Sequence, residues 1–141
     1  MKNLLYLLAI FMVTLSCSTV NKSLPNNSAA EIRPQQNEDG EWEIHVLDTN
    51  FDYFLSAVAR PITMYSEEGL KTRNANLVTE WNSHFMSGRY RNIIESSIQY
   101  DPTENYGMAF EYKLYQVFAY VNWQYGLRLN GLSGADSFRR R

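Results

Sequence analysis

Glu80 and His84 stand four residues apart in a stretch of helical period, so both side chains fall on one helix face. Such a pair can supply two metal ligands, or a general base and the carboxylate that orients it. A zinc centre takes at least three protein ligands, and no third one stands at a matching spacing. A solvent-facing helical pair accounts for both residues without chemistry. No cofactor and no metal are therefore expected, with Glu80 and His84 the candidates should a metal be held. His45, the other histidine, falls on the polar side of a predicted strand.

The carboxylates also have structural readings. Glu67-Glu68 sits at a helix start, where negative charge complements the helix dipole. Asp48 and Asp101 stand at helix-capping positions. Glycoside hydrolysis requires two carboxyl groups facing each other across a cleft, which a domain of this size seldom offers. The sequence holds no phosphate-cradling glycine loop, dinucleotide fingerprint or nucleophile elbow. No enzyme is expected on these residues. The balance of 13 basic against 15 acidic residues argues against a nucleic-acid partner, because a phosphate-tracking surface needs an excess of Lys and Arg. Arg139-Arg140-Arg141 can contact lipid phosphates or a cell-wall carboxylate, or serve as a solubilising tail.

Aromatic side chains are the remaining resource, with ten Tyr, seven Phe and three Trp making up 14% of the sequence. Many of them fall in one predicted helix. Asp101-Pro102-Thr103-Glu104 reads as its start, with Asp101 as cap, Pro102 in the first turn and Glu104 reaching back, and Tyr125-Gly126 reads as its stop. Tyr106, Phe110, Leu114, Val117, Phe118, Val121 and Tyr125 share a sector of about 120°, which predicts a core stripe. Met108, Tyr112, Tyr115, Ala119 and Trp123 form a second stripe on the far side, about 80° wide. Glu111 and Asn122 separate the stripes on one flank, Lys113 and Gln116 on the other. A helix with two apolar faces is either central in its fold or presents one face to something else. On the second alternative, Met108, Tyr112, Tyr115 and Trp123 are a candidate surface for a protein partner or a glycan.

The elements that must position these residues follow from period and punctuation. Trp42, Ile44 and Val46 alternate with Glu41, Glu43 and His45, as in a half-buried strand. Asp48 or Thr49 caps a short helix over 50–59 that Pro61 cannot continue. Ser66 caps a second helix that ends near Ser87, with Gly88 past it. Its apolar positions Leu70, Leu77, Val78, Trp81 and Phe85 keep one face. Tyr90, Ile93, Ile94 and Ile98 predict a third, short helix, with a strand as the alternative, and Leu127-Arg128-Leu129 a strand returning beside the first. The expectation is a small, mostly helical α+β domain over 41–129, with about four helices and a short two-stranded sheet. Residues 17–40 read as an anchor and a flexible tether, sparse in apolar residues, and 130–141 as a frayed basic tail.

The N-terminus carries the strongest signal. Lys2 precedes an apolar run over 4–15 that is shorter than the roughly 20 residues a spanning helix needs and matches a signal-peptide core. Thr14-Leu15-Ser16-Cys17 closes the run and resembles the lipobox of bacterial lipoproteins, with small Ser16 before the cysteine and Thr14 where that pattern has leucine. The resemblance implies that residues 1–16 are a lipoprotein signal peptide and that Cys17 is lipidated. Cys17 is the sole cysteine, so no intramolecular disulfide exists, and a thioether-linked lipid would occupy its thiol. Two or three acyl chains give durable anchoring. Ser18 follows the cysteine and no acidic residue precedes Glu31, which resembles lipoproteins held at the outer membrane facing the periplasm.

Thr79-Glu80-Trp81-Asn82, Ile98-Gln99-Tyr100-Asp101-Pro102, Tyr106-Gly107, Tyr112-Lys113-Leu114-Tyr115 and Tyr125-Gly126 together resemble a family of small Bacteroidota lipoproteins defined as a domain of unknown function. The resemblance spans about 41–129 and the leader. It implies an envelope location, with the membrane reached through the lipid anchor, and carries no activity, cofactor or catalytic residue. The reading is a non-catalytic interaction or structural lipoprotein. The alternatives are a module binding cell-wall or lipopolysaccharide sugars, and a small metal-dependent envelope enzyme resting on Glu80 and His84.

Overall fold

The computed structural model describes residues 32–46 and 48–138, and the expected signal peptide over 1–16, Cys17 and Arg139-Arg140-Arg141 lie outside them. The described residues form a mostly helical α+β domain: a two-stranded antiparallel sheet and three α-helices. Strand β1 is Gln35–Gln36 and β2 is Trp42–Glu43, with Gln35 opposite Glu43. Helix α1 (Thr49–Ala57) starts at Asp48, whose carboxylate accepts from the Asn50 N–H at 2.9 Å. Helix α2 (Glu67–Ser87) starts at Ser66, whose hydroxyl accepts from the Gly69 N–H, and ends at left-handed Gly88 (φ 68°). Helix α3 (Met108–Tyr125) ends at Gly126.

Helix α3 is the centre of the domain. Phe51 and Phe54 of α1 pack edge-on against Tyr120, and Trp81 of α2 against Phe118. The connection after α1 covers Tyr112 and Tyr115 with Tyr65. The segment after α3 brings Leu127, Leu129 and Leu132 into the same core. A helix apolar all round is stable only with cover on every side.

Three sequence expectations change. The predicted helix over 90–98 is absent: Tyr90 adopts φ 57°, one turn closes where the Ile93 and Ile94 N–H groups meet the Tyr90 carbonyl, and the chain then extends. Side chains of α2 hold it there. Trp81 Nε1 donates to the Ser96 carbonyl at 2.8 Å, and Asn82 both accepts from the Ile98 N–H and donates to the Ile98 carbonyl. Helix α3 begins at Met108 instead of after Asp101. Asp101 closes a tight turn, accepting from the Thr103 N–H (2.8 Å) and hydroxyl (2.7 Å), and Gly107 at φ 82° separates that turn from the helix. Leu127-Arg128-Leu129 forms no strand, because side chains satisfy the backbone nearby: Asn122 Nδ2 donates to the Leu127 carbonyl, and Glu80 accepts from the Asn130 N–H at 2.7 Å.

The ordered domain also extends past both expected boundaries, at 40 and 130. Asn37 folds the hairpin that supplies β1, its Oδ1 accepting from the Asp39 and Glu41 N–H groups. Ile32 exchanges backbone hydrogen bonds with Ser97 and Gln99. At the other end Leu132 and Asp136 are buried, and Phe138 packs edge-on against Phe54. Gly131 lies so close to α2 that a Cβ there would stand 2.7 Å from Leu77 Cγ. None of the helices among the described residues is long and apolar enough to cross a membrane.

Candidate functional site

Helix α3 places the second aromatic stripe against neighbours and not against solvent. Tyr115 and Ala119 are fully buried, and Met108, Tyr112 and Trp123 are half-buried. The Tyr112 hydroxyl donates to the Arg60 carbonyl at 2.8 Å. Trp123 packs on Phe54 and Tyr120 at 5.5 and 6.1 Å. The stripe is therefore mainly an internal seam, and its burial closes Tyr115 to any ligand. Tyr125, expected in the core stripe, is instead 45% exposed at the last residue of α3.

An aromatic-lined cleft lies at the other end of α3. Trp42 of β2, Tyr100 and Tyr106 line a cleft of about 520 Å³ with Pro34, Gln99 and Asp101. The Asp101 turn creates it, doubling the chain back so that Tyr100 and Tyr106 stack at 5.3 Å, while Trp42 stands edge-on to Tyr106 at 5.1 Å. The Tyr106 hydroxyl accepts from the Asp101 N–H and fixes the turn. Hydrogen bonds from Thr103 hold the Asp101 carboxyl below the usual carboxylate range, so the cleft rim is anionic. Sequence periodicity missed this site because Trp42 reads as strand and Tyr106 as core. The signal available was the turn Asp101-Pro102-Thr103-Glu104 between two tyrosines.

Behind the cleft lies a buried acid. Glu111 accepts from Tyr100 at 3.0 Å and from Asn74 at 2.7 Å, and Asn74 also donates to the Glu111 backbone carbonyl. Asn74 Oδ1 is buried with no hydrogen-bond partner. Burial raises the Glu111 carboxyl above its ordinary range, against the hydrogen bonds from Asn74 and Tyr100 and the field of Lys71. The folded protein thus holds the Glu111 proton more tightly than the unfolded chain does. Stability falls as pH rises from the ordinary carboxylate value through the raised one, and is greatest below both. In Glu111→Gln that dependence disappears. Urea midpoints for both proteins should therefore move in the wild type's favour on going from about pH 8 to about pH 5. A difference constant with pH would remove Glu111 as a titrating group.

A second buried carboxylate was not foreseen at all. Asp136 accepts from Tyr65 and Tyr115 at 2.9 Å each and from Ser133, with the Arg60 guanidinium at 3.8 Å. It borders a recess of about 260 Å³ between Arg60, Arg73 and Tyr65. The Ser133-Gly134-Ala135-Asp136 turn was its only signal in the sequence.

Glu80 and His84 come together as their spacing predicts, at 3.8 Å. Glu80 nonetheless holds the Asn130 backbone and side chain with its two oxygens, and His84 stands edge-on to Tyr90 at 5.1 Å. Among the described residues no group of three His, Cys, Asp or Glu side chains converges as a metal centre would require. His45 is exposed beside Glu43 at 3.8 Å.

Residues 5–137 match the family of unknown function DUF6146, and the chain belongs to that family. The matched span takes in nearly all of the apolar run over 4–15 and the Asp136 turn. No curated protein and no solved structure matches the chain.

Proposed function

For this DUF6146 protein we propose a lipid-anchored role in the bacterial cell envelope, at the periplasmic face of the outer membrane, as a non-catalytic interaction module. One observation carries the anchor: an apolar run over 4–15 closed by Ser16 and the sole cysteine, Cys17. The non-catalytic part is supported by the occupation of Glu80, Glu111 and Asp136 in internal hydrogen bonds. Metabolic labelling with an alkyne-tagged palmitate tests the anchor. The full chain should incorporate label and Cys17→Ser should not, and an unlabelled wild type would overturn the proposal.

The cleft favours a second reading, the binding of envelope sugars. Aromatic rings present flat apolar faces, and Gln99 and Asp101 stand at the same cleft to orient hydroxyl groups. Titration with cell-wall glycan fragments should change tryptophan emission, and Trp42→Phe should abolish the change. The absence of any response to the fragments removes sugar binding and leaves a protein partner for the cleft.

A further inference from the structure

We propose that the recess between Arg60 and Arg73 binds a carboxylate, carried by a small organic acid or by the C-terminus of a peptide. Arg60 follows α1, Arg73 lies in α2, and both line the recess beside Asp136. Their donors are underused. Among the described residues the Arg60 guanidinium makes no hydrogen bond, and the Asp136 oxygen nearest to it is 3.8 Å away. Arg73 makes one, from Nη1 to the Gly131 carbonyl at 3.3 Å. An arginine carries five N–H donors, so most of those at the recess have no acceptor among the described residues.

Asp136 does not satisfy those donors. Its carboxylate is buried and accepts from the hydroxyls of Tyr65, Tyr115 and Ser133. It is also the sole acidic side chain lining the recess, against two guanidinium groups. One positive charge is left over. A carboxylate offsets that charge, whereas a doubly charged phosphate would reverse it. Glu67 and Glu68 stand in the first turn of α2, but neither lines the recess. Ser66, at the start of α2, does line it, and the positive end of the helix dipole there favours an anion.

Shape fits the same ligand. A planar guanidinium presents parallel N–H donors that match the two oxygens of a carboxylate. The Tyr65 ring helps to position one such fork, with Arg60 Cζ 5.8 Å from its centroid. The recess measures about 260 Å³, below the roughly 300 Å³ at which sites for drug-sized ligands begin, so only a small group enters. Met64, 63% exposed, lines it too and gives apolar cover to a short side chain beside the carboxylate. Every residue of this site is a described one, so it stands whether or not Cys17 carries a lipid.

The test follows the backbone amide shifts of the isotope-labelled full chain in a non-ionic detergent. N-acetylalanine, which carries a free carboxylate, should shift Ser66, Gly69 and Ser133 in a saturable way. N-acetylalanine amide, which lacks the charge, should not. Arg73→Gln should weaken binding about tenfold or more, the usual effect of losing a hydrogen bond to a charged group. Arg73 is exposed, so its urea midpoint should hold and separate lost binding from lost folding. Arg60→Gln should weaken binding similarly, and Arg60→Lys should also weaken it, because lysine keeps the charge and loses the fork. Propionate separates the two sources of carboxylate. Binding equal to that of N-acetylalanine upholds the site as one for small organic acids, and weaker binding upholds it as one for a peptide C-terminus. No shift with either carboxylate, equal shifts with the amide, tighter binding of inorganic phosphate, or binding unchanged in Arg73→Gln would each overturn the proposal.

Discussion

Ending the chain after Leu129 is expected to unfold the domain, at a cost of about 5 kcal/mol or more. Leu132, Asp136 and Phe138 would all be lost. Leu132 is a core residue, and the Asp136 carboxylate accepts the hydroxyls of Tyr65, Tyr115 and Ser133. Removing a buried acceptor strands its donors in an interior where water cannot reach them. Asp136→Ala alone should therefore cost about 3–5 kcal/mol, a large share of the stability of a domain this size. Asp136→Asn, which keeps one acceptor oxygen, should cost less. Circular dichroism and urea titration read all three. A shortened chain that still unfolds cooperatively at the wild-type midpoint would show the return segment to be dispensable.

Tyr112→Ala combined with Trp123→Ala should destabilise the protein by about 4–6 kcal/mol rather than merely clear a binding face. Each ring fills space between α3 and a neighbour: Tyr112 against Tyr65 and the Arg60 carbonyl, Trp123 against Phe54 and Tyr120. The two sites lie three turns apart on α3, so their effects should add. Tyr112→Phe separates the contributions, since it removes only the hydroxyl bond and should cost about 1 kcal/mol. The urea midpoint is again the measurement. A double variant with an unchanged midpoint would mean that the stripe is a surface after all. The contrast with Tyr53 and Tyr125 is physical: those rings can lose their side chains without leaving a cavity.

Local signals were legible in the residues themselves. Asp48 and Ser66 cap α1 and α2 through their own side chains, and Gly88 and Gly126 end α2 and α3. Five of the seven residues of the expected core stripe, Phe110, Leu114, Val117, Phe118 and Val121, are buried on α3 as their period requires, while Tyr106 is buried from the turn before the helix. The mostly helical α+β class followed from these local codes. Where side chains compete for the backbone across long distances, local reading failed. Asn82 holds Ile98 extended where its neighbours suggest a helix, and Glu80 holds Asn130 where the alternation just before it suggests a strand. Neither pairing leaves a trace in spacing, because the partners are 16 and 50 residues apart.

The candidate sites divide in the same way. The pairing of Glu80 with His84 needs only the helical repeat, so their spacing was sufficient to predict it. Which aromatic residues are open to a ligand is a question of which neighbours cover them, and only packing answers it. Tyr115 and Tyr125 stand on the same helix with the same ring, yet one is buried between Tyr65 and Asp136 while the other is exposed at the last residue of α3. The sequence by itself determined the caps of α1 and α2 and the helix faces, since each depends on residues within a few positions of one another. The tertiary structure alone decided that both stripes of α3 are covered except at Tyr125, and that Leu132 and Asp136, beyond the expected end of the domain, belong to the core. Those outcomes depend on contacts between residues distant in the chain, and burial is a property of the whole fold.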